Sequence, residues 1–507
     1  MSIVLIFVIS TICSINMVAQ DNKDAFERYR QMVESKFETT KAKHDKRFDN
    51  YRDSVNNAYS LYLQREWEQT SLNKSRPTPV KPEPKPILDT TTIVSSKPLP
   101  HVEPEPTPDT PVSAPKPIAS PTADSTPNIP PVEPDRPIID IEKSVPQADL
   151  FSFDFYGVTC KVHLPATKEL KLQNTSNQEI SRVWDILSAG AYDKFLNDCI
   201  AYRKELQLCD WGLHQFVSSA SEAYFGNSDK NESILLQMYA LSQLGYKIRL
   251  GMQGERLINL VAFNQQIYAK PYLTIEGKEF YFLSTGLKEG GIRLCDFTFP
   301  NEQVASLHIK SLPKLPSDPT PKRQIKSTVY PNVAVSVSVN NNLIKFLNTY
   351  PCCSCELFAE ASLSSEVKEQ LYPALRKSIS NLSEKEAANI LLNLIQTGFE
   401  YQTDDEQFGR EKTFFGDEPF YYPYCDCEDR SVLYAILIKD LLNLDVVLLD
   451  YPSHIATAVC FNENISGDYV NLNGKKYIIC DPTYIGAPIG KSMPEMLKYE
   501  ANILRIE

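Results

Sequence analysis

Proline constrains this chain more than any other residue. Twenty of its 36 prolines fall between Arg76 and Gln147, and no glycine lies among them. Proline lacks an amide hydrogen and fixes its own φ, so a run this dense excludes a helix and disfavours a central strand. Without glycine it favours extended polyproline II, a semi-rigid spacer of up to roughly 200 Å at about 3.1 Å per residue. Residues 76–147 are therefore read as a spacer. They separate an N-terminal segment from residues 148–507, which hold all 18 glycines and 11 of the 12 cysteines.

Residues Ile3 to Ile15 are almost all apolar and uncharged, and Met17-Val18-Ala19-Gln20 follow. A bilayer needs about 20 apolar residues, so the run reads as a signal peptide over 1–20. The chain is expected to be exported: periplasmic, cell-surface or secreted. No later segment is long and apolar enough for a membrane span, so an integral membrane protein is not expected. From Asp24 to Trp67 there is neither glycine nor proline. Phe26, Phe37, Phe48 and Tyr59 recur every eleven residues, as do Val33, His44 and Val55. That period keeps one stripe on a nearly straight helix. Two roles are open for this arm, assigned to 21–75. It self-associates or docks through residues 24–67, or it is an amphipathic helix laid on the globular part. The net charge of −12 argues against a nucleic-acid partner, because phosphate contacts need clustered Lys and Arg.

Residues 148–507 alternate helical and strand patterns, hence α+β. In the C-terminal part, Ser383 to Gln396 is a helix opened by a Ser383/Glu386 capping box. Asp426 to Leu442 is a second helix, and Asp445–Leu449, His454–Phe461 and Lys476–Cys480 are strands. The same order occurs earlier, with a helix at Ser233–Leu244 and strands at Lys247–Leu250, Leu257–Phe263 and Phe280–Leu283. Leu244-Gly-Tyr-Lys-Ile aligns with Leu442-Asn-Leu-Asp-Val, 198 residues on, and Gly277-Lys-Glu-Phe with Gly474-Lys-Lys-Tyr, 197 residues on. Two anchors agreeing within one residue point to a duplicated unit. The expected domains are 148–311 and 332–507, joined by a Pro-rich linker at 312–331.

In the second unit a helix begins near Cys427, a strand carries His454, and a later strand ends at Asp481. A thiolate is stabilised by a helix N-terminus. A histidine on a neighbouring strand can take the thiol proton, and an aspartate can fix its tautomer. Cys427-Glu-Asp-Arg, Tyr451-Pro-Ser-His-Ile-Ala and Cys480-Asp-Pro-Thr-Tyr together resemble the transglutaminase-like superfamily, a papain-related cysteine fold. The resemblance is tight from Cys425 to Tyr484. It implies Cys427 as nucleophile, His454 as general base and acid, and Asp481 as orienting carboxylate. Where the family often has Gly, two residues before the nucleophile, this chain has Cys425. The aromatic that often follows the family's His is also missing, so the second oxyanion donor is unassigned. With the same offset, Arg256 and Ser284 replace His454 and Asp481 in the first unit, and Cys427 falls near Asp229. That unit is expected to be a degenerate, non-catalytic copy.

Removing Cys13 with the signal leaves 11 cysteines, an odd number, so at least one thiol is unpaired. Cys427 is expected to be free, and Cys352, Cys353, Cys355 and Cys425 are candidate disulfide partners of one another. Neither Cys352-Cys-Ser-Cys nor Cys425-Asp-Cys has the spacing of a zinc knuckle, so no metal and no cofactor is expected. The function implied is thiol acyl transfer on a peptide or isopeptide amide of a protein or peptide substrate, with hydrolysis favoured over cross-linking. The alternative is a non-catalytic cell-surface interaction or assembly protein that keeps the fold as a binding module.

Overall fold

The computed structural model describes residues 49–79, 88–90, 98–103, 150–165, 170–226, 230–283 and 291–506, with isolated helical positions between 30 and 43. The signal segment, His44 with most of the repeat before residue 49, spacer residues 104–149, Asp229 and Ser284 lie outside the described residues. Helix α1 (49–63) leads to strand β1 (Glu68–Ser71), and β2 (His101–Val102) follows. A hairpin of β3 (Leu150–Phe155) and β4 (Val158–His163) precedes α2 (Asn177–Ser188), α3 (Asp193–Glu205), α4 (Asp210–Phe225) and α5 (Asn231–Gln243). Next come β5 (Ile248–Gln253), β6 (Arg256–Ala262), β7 (Tyr272–Ile275), β8 (Lys278–Phe282) and β9 (Gly291–Cys295). A second hairpin joins β10 (Arg323–Lys326) to β11 (Ala334–Val337). Six helices follow: α6 (Asn341–Leu347), α7 (Glu356–Glu360), α8 (Ser365–Ile379), α9 (Glu384–Gly398), α10 (Asp404–Phe408) and α11 (Cys427–Leu437). The chain ends with β12 (Asp445–Tyr451), β13 (His454–Cys460), β14 (Tyr469–Leu472), β15 (Lys475–Cys480) and β16 (Ala501–Arg505). The architecture is α+β, and α9 carries the expected Ser383/Glu386 capping box.

The two halves hold the same sheet. One has strand order β1-β9-β5-β6-β8-β7, the other β2-β16-β12-β13-β15-β14. Register repeats with order. Arg256 closes the β5–β6 turn opposite Gln253, as His454 closes β12–β13 opposite Tyr451. Leu260 faces Phe282 as Ala458 faces Ile479, and Tyr272 faces Tyr281 as Tyr469 faces Ile478. These pairs keep the 198- and 197-residue offsets of the sequence. A one-residue slip would turn every side chain to the other face, so shared register is a strict test. The two halves thus share one sheet order and one register.

Each sheet also borrows its closing strand from the N-terminal segment. β1 pairs with β9 at one edge, and Asn73, two residues on, bridges Tyr272 at the other, its amide donating to the Tyr272 carbonyl at 2.7 Å. In the second sheet β2 pairs with β16, while Pro98 bridges Tyr469 and the Leu99 amide donates to its carbonyl at 2.8 Å. Tyr272 and Tyr469 are equivalent positions, so both sheets are joined edge to edge at the same place. Leu72 packs into the first sheet's inner cluster of Leu260, Leu273, Phe280 and Phe282, and Leu99 into the second's with Ala458, Val470 and Ile479. The interior of the first is tight: a Cβ on Gly251 would stand 2.9 Å from Ile258 Cγ1.

These contacts redraw the expected domain map. Val55, Tyr59, Leu63 and Trp67 are buried, and the Tyr59 ring lies 4.4 Å from Trp184 and 4.9 Å from Phe299 between centroids. Phe37, on the same stripe, is 62% exposed. The end of the arm is thus laid on the globular part rather than standing apart, and 68–71 is a strand. The described parts of the spacer also lie on the fold: Arg76 pairs with Glu279, and Asp89 with Lys491 at 2.7 Å. Nor is 312–331 a free linker, because it contains β10, whose Ile325 is buried. No disulfide joins any of the 11 described cysteines, contrary to the pairing expected around Cys352–Cys355 and Cys425. Among the described residues no helix is long and apolar enough to cross a membrane.

Deleting residues 21–147 removes one strand from each sheet together with Tyr59. The fragment is expected to lose cooperative thermal unfolding, and a fragment melting like the full chain would refute the closure. Tyr59→Ala in the full chain is expected to cost about 3–5 kcal/mol in denaturant unfolding, as for other large buried aromatics.

Candidate active site

Three elements meet at one end of the second sheet. Helix α11 starts at Cys427 behind the N-cap Asp426, and Asp426 and Asp429 form a reciprocal capping box, with the Asp426 amide donating to Asp429 at 3.2 Å. The helix is tied to β13 by Ser431 Oγ, which donates to the Ile455 carbonyl at 2.9 Å, one residue past His454. β15 lies beside β13 and ends at Cys480, opposite Thr457, so the next residue, Asp481, reaches the imidazole.

His454 Nε2 and Asp481 Oδ2 are 2.9 Å apart. Asp481 Oδ1 accepts from the amides of Thr483 and Tyr484 at 2.9 and 3.2 Å, which fixes the carboxylate in its turn. An ionised Asp481 only accepts, so in a neutral imidazole Nε2 carries the proton and Nδ1 keeps its lone pair. That Nδ1 is buried and has no hydrogen-bond partner. Cys427, also buried, turns its Sγ to Glu428 Oε2 at 3.0 Å. Two of the three expected residues are therefore hydrogen-bonded, and the third is brought to the same strand by helix packing without a bond to the imidazole. Cys425 is buried as well, and burial pushes its thiol up to about 11, against the pull of Arg430.

The residues that hold this arrangement include several that sequence reading missed. Gln396 on α9 donates through Nε2 to the carbonyls of Asp481, Tyr484 and Ala487 at 2.8–3.1 Å and accepts from the Gly486 amide at 3.2 Å. It clamps the turn that carries Asp481. Gly467 meets Gly490 so closely behind this turn that a Cβ would lie 2.3 Å from Gly490 Cα. Tyr401 lies within electrostatic reach of Cys427: its hydroxyl is pushed well above its ordinary pKa, first by burial and then by the charges of Cys427, Asp426 and Glu428. A Gln at the end of an apolar helix is a weak signal, and nothing local marks Tyr401.

The electrostatics around Cys427 are acidic. Asp426 and Asp429 are buried and held well above the usual carboxylate range, chiefly by desolvation and then by Glu428, Asp404 and each other's neighbourhood. Asp429 is thus more than a solvated first-turn charge. Arg430, the nearest cation in sequence, donates away from the cluster to the carbonyls of Gln396 and Phe399.

Arg256 stands in the first half where His454 stands in the second. Its histidines are engaged in ways the sequence did not suggest. His163 pairs with Asp198 at 3.0 Å, His308 with Glu360, and His214 stacks on Trp211, its protonation pushed down to about 4 by burial.

Comparison of the chain with protein-family models, curated proteins and solved structures finds no match.

Gln396→Leu would take the side-chain donor from the Asp481 and Ala487 carbonyls, while the Tyr484 carbonyl keeps the Ala487 amide, so a loss of about 2–3 kcal/mol is expected in urea unfolding. The raised Asp426 carboxyl gives a pH signature. A raised native pKa stabilises below the unfolded value of about 3.9, and that contribution is lost as pH rises through the native value. Asp426→Asn, which keeps the cap, is expected to raise the melting midpoint at pH 7. The advantage should shrink toward pH 4; an equal effect at both pH values would count against the buried charge.

Proposed function

We propose that the chain is a thiol acyl-transfer enzyme of the transglutaminase-like kind, acting on a peptide or isopeptide amide, with water as the favoured acceptor. One observation carries the reading: a buried imidazole bonded to Asp481 through Nε2, with an unpartnered Nδ1, beside a helix that begins at a cysteine. That is the state of a general base waiting for a thiol proton.

In this mechanism Cys427 leaves Glu428 and turns to His454 Nδ1. The proton passes to the imidazole, and the thiolate, favoured by the helix N-terminus, attacks the amide carbon. The Cys427 amide and the Tyr401 hydroxyl are the donors for the developing oxyanion. His454 returns the proton to the leaving amine, leaving a thioester on Cys427. Water, deprotonated by the same Nδ1, then releases the acid and restores the thiol. Asp481 stabilises the imidazolium in both steps without taking its proton. The first half contributes no thiol triad and acts as a packing partner.

A second reading, a binding module without turnover, is favoured by the Cys427–Glu428 bond and the burial of Cys427 and His454. Alkylation separates the two. With iodoacetamide between pH 5 and 9, Cys427 is expected to react well below the usual thiol pKa of about 8.5. His454→Ala should abolish that low-pH reactivity. Identical ordinary titration in both proteins would remove the enzyme reading and leave the binding module.

A further inference from the structure

The turn that carries Asp481 is held by a part of the chain that the proposed mechanism does not use. Asp481 offers Oδ2 to His454 and Oδ1 to the amides of Thr483 and Tyr484. Where the Tyr484 backbone stands therefore decides how the carboxylate meets the imidazole. Gln396 fixes that backbone from helix α9, donating to the Tyr484 carbonyl at 2.8 Å. Asp89 fixes it from the other end of the sequence. Its Oδ1 accepts from the Tyr484 hydroxyl at 3.2 Å, across 395 residues. Its amide donates to the Ile485 carbonyl at 2.8 Å, and its Oδ2 pairs with Lys491 Nζ at 2.7 Å. These are interior contacts: the Asp89 and Lys491 side chains are 2% and 10% exposed, and Tyr484 is buried.

Removing Asp89 would take the acceptor from a buried hydroxyl and a counter-charge from the Lys491 ammonium, both costly losses away from water. The hydroxyl matters more for chemistry, because the same residue's amide holds the Asp481 carboxylate. A catalytic group works only when its supports keep it within about 0.5 Å of the productive geometry. We propose that Asp89 is a positioning residue for the Asp481–His454 pair, supplied by the Pro-rich segment and acting through Tyr484. The segment is then part of the frame of the site and more than a spacer. Its bearing on catalysis rests on the acyl-transfer reading, whereas the histidine–aspartate pair does not.

The imidazole proton that His454 shares with Asp481 reads the pair directly. In the full chain labelled with ¹⁵N-histidine, a ring proton bonded to a carboxylate resonates far downfield of the amides, and His454→Gln assigns it by its loss. His163, paired with Asp198, and His308, paired with Glu360, supply internal references in the same spectrum. Asp89→Ala is expected to speed solvent exchange of the His454 proton about tenfold, the weight of one buried hydrogen bond, and to leave the references as they were. Tyr484→Phe, the milder change, removes only the hydroxyl and should do the same. The double variant should go no further than either alone, since both act through one contact. Asp89→Asn, which keeps an acceptor for the hydroxyl, should recover most of the wild-type rate. The proposal is overturned if exchange is alike in the wild type, Asp89→Ala and Tyr484→Phe. It is overturned too if the reference protons speed up by the same factor, which marks general loosening, or if no proton is lost in His454→Gln. Alkylation of Cys427 keeps this apart from the enzyme reading. Faster exchange in Asp89→Ala with ordinary alkylation in the wild type leaves Asp89 its role and removes the enzyme. Unchanged exchange with low-pH alkylation in the wild type leaves the enzyme and removes the role of Asp89.

Discussion

Each sheet depends on a short stretch of chain laid across its edges. Residues 68–73 join the free edges of the first sheet, and residues 98–102 join those of the second. Unpaired edges expose rows of backbone donors and acceptors, which natural sheets must pair or cover. Here the cover is a hydrogen-bonded strand whose leucines, Leu72 and Leu99, also plug the interiors. The pleat that sets His454 against Asp481 is therefore held partly from outside the unit that contains them. Asp89 adds to this, since it accepts from the Tyr484 hydroxyl at 3.2 Å and pairs with Lys491, both close in sequence to Asp481.

The repeated unit was legible because its signals are local. Turn wording such as Gly277-Lys-Glu and Gly474-Lys-Lys survives in both copies, and strand register follows from it. The Ser383-x-x-Glu386 cap was legible for the same reason. Cys427, His454 and Asp481 could be singled out because each sits at an element end marked by its own sequence. The closing strands were not legible. Glu68–Ser71 shows no apolar alternation, and Pro98-Leu-Pro reads as spacer, since proline argues against a strand until an edge position is known. Gln396 escaped for a related reason: its partners lie 85–91 residues away.

At the site, geometry and charge pull in different directions. The strand pair fixes the imidazole, and the helix start favours a thiolate. The capping box that starts the helix, however, also buries two of the carboxylates that oppose it. The Cys427 thiol rests on Glu428, the group whose charge a thiolate would have to face. The thiol therefore faces a carboxylate, while His454 Nδ1 stands without a partner.

The pairing of His101 with Ala501 has a consequence for how the chain is made. These partners are about 400 residues apart in sequence, and contacts of such separation are slow to form because the intervening loop must close first. A ribosome adding about 5–20 residues per second would deliver Ala501 some tens of seconds after His101. Until then the second sheet has an open edge, and the nascent chain is the form most exposed to edge-to-edge association and to proteolysis.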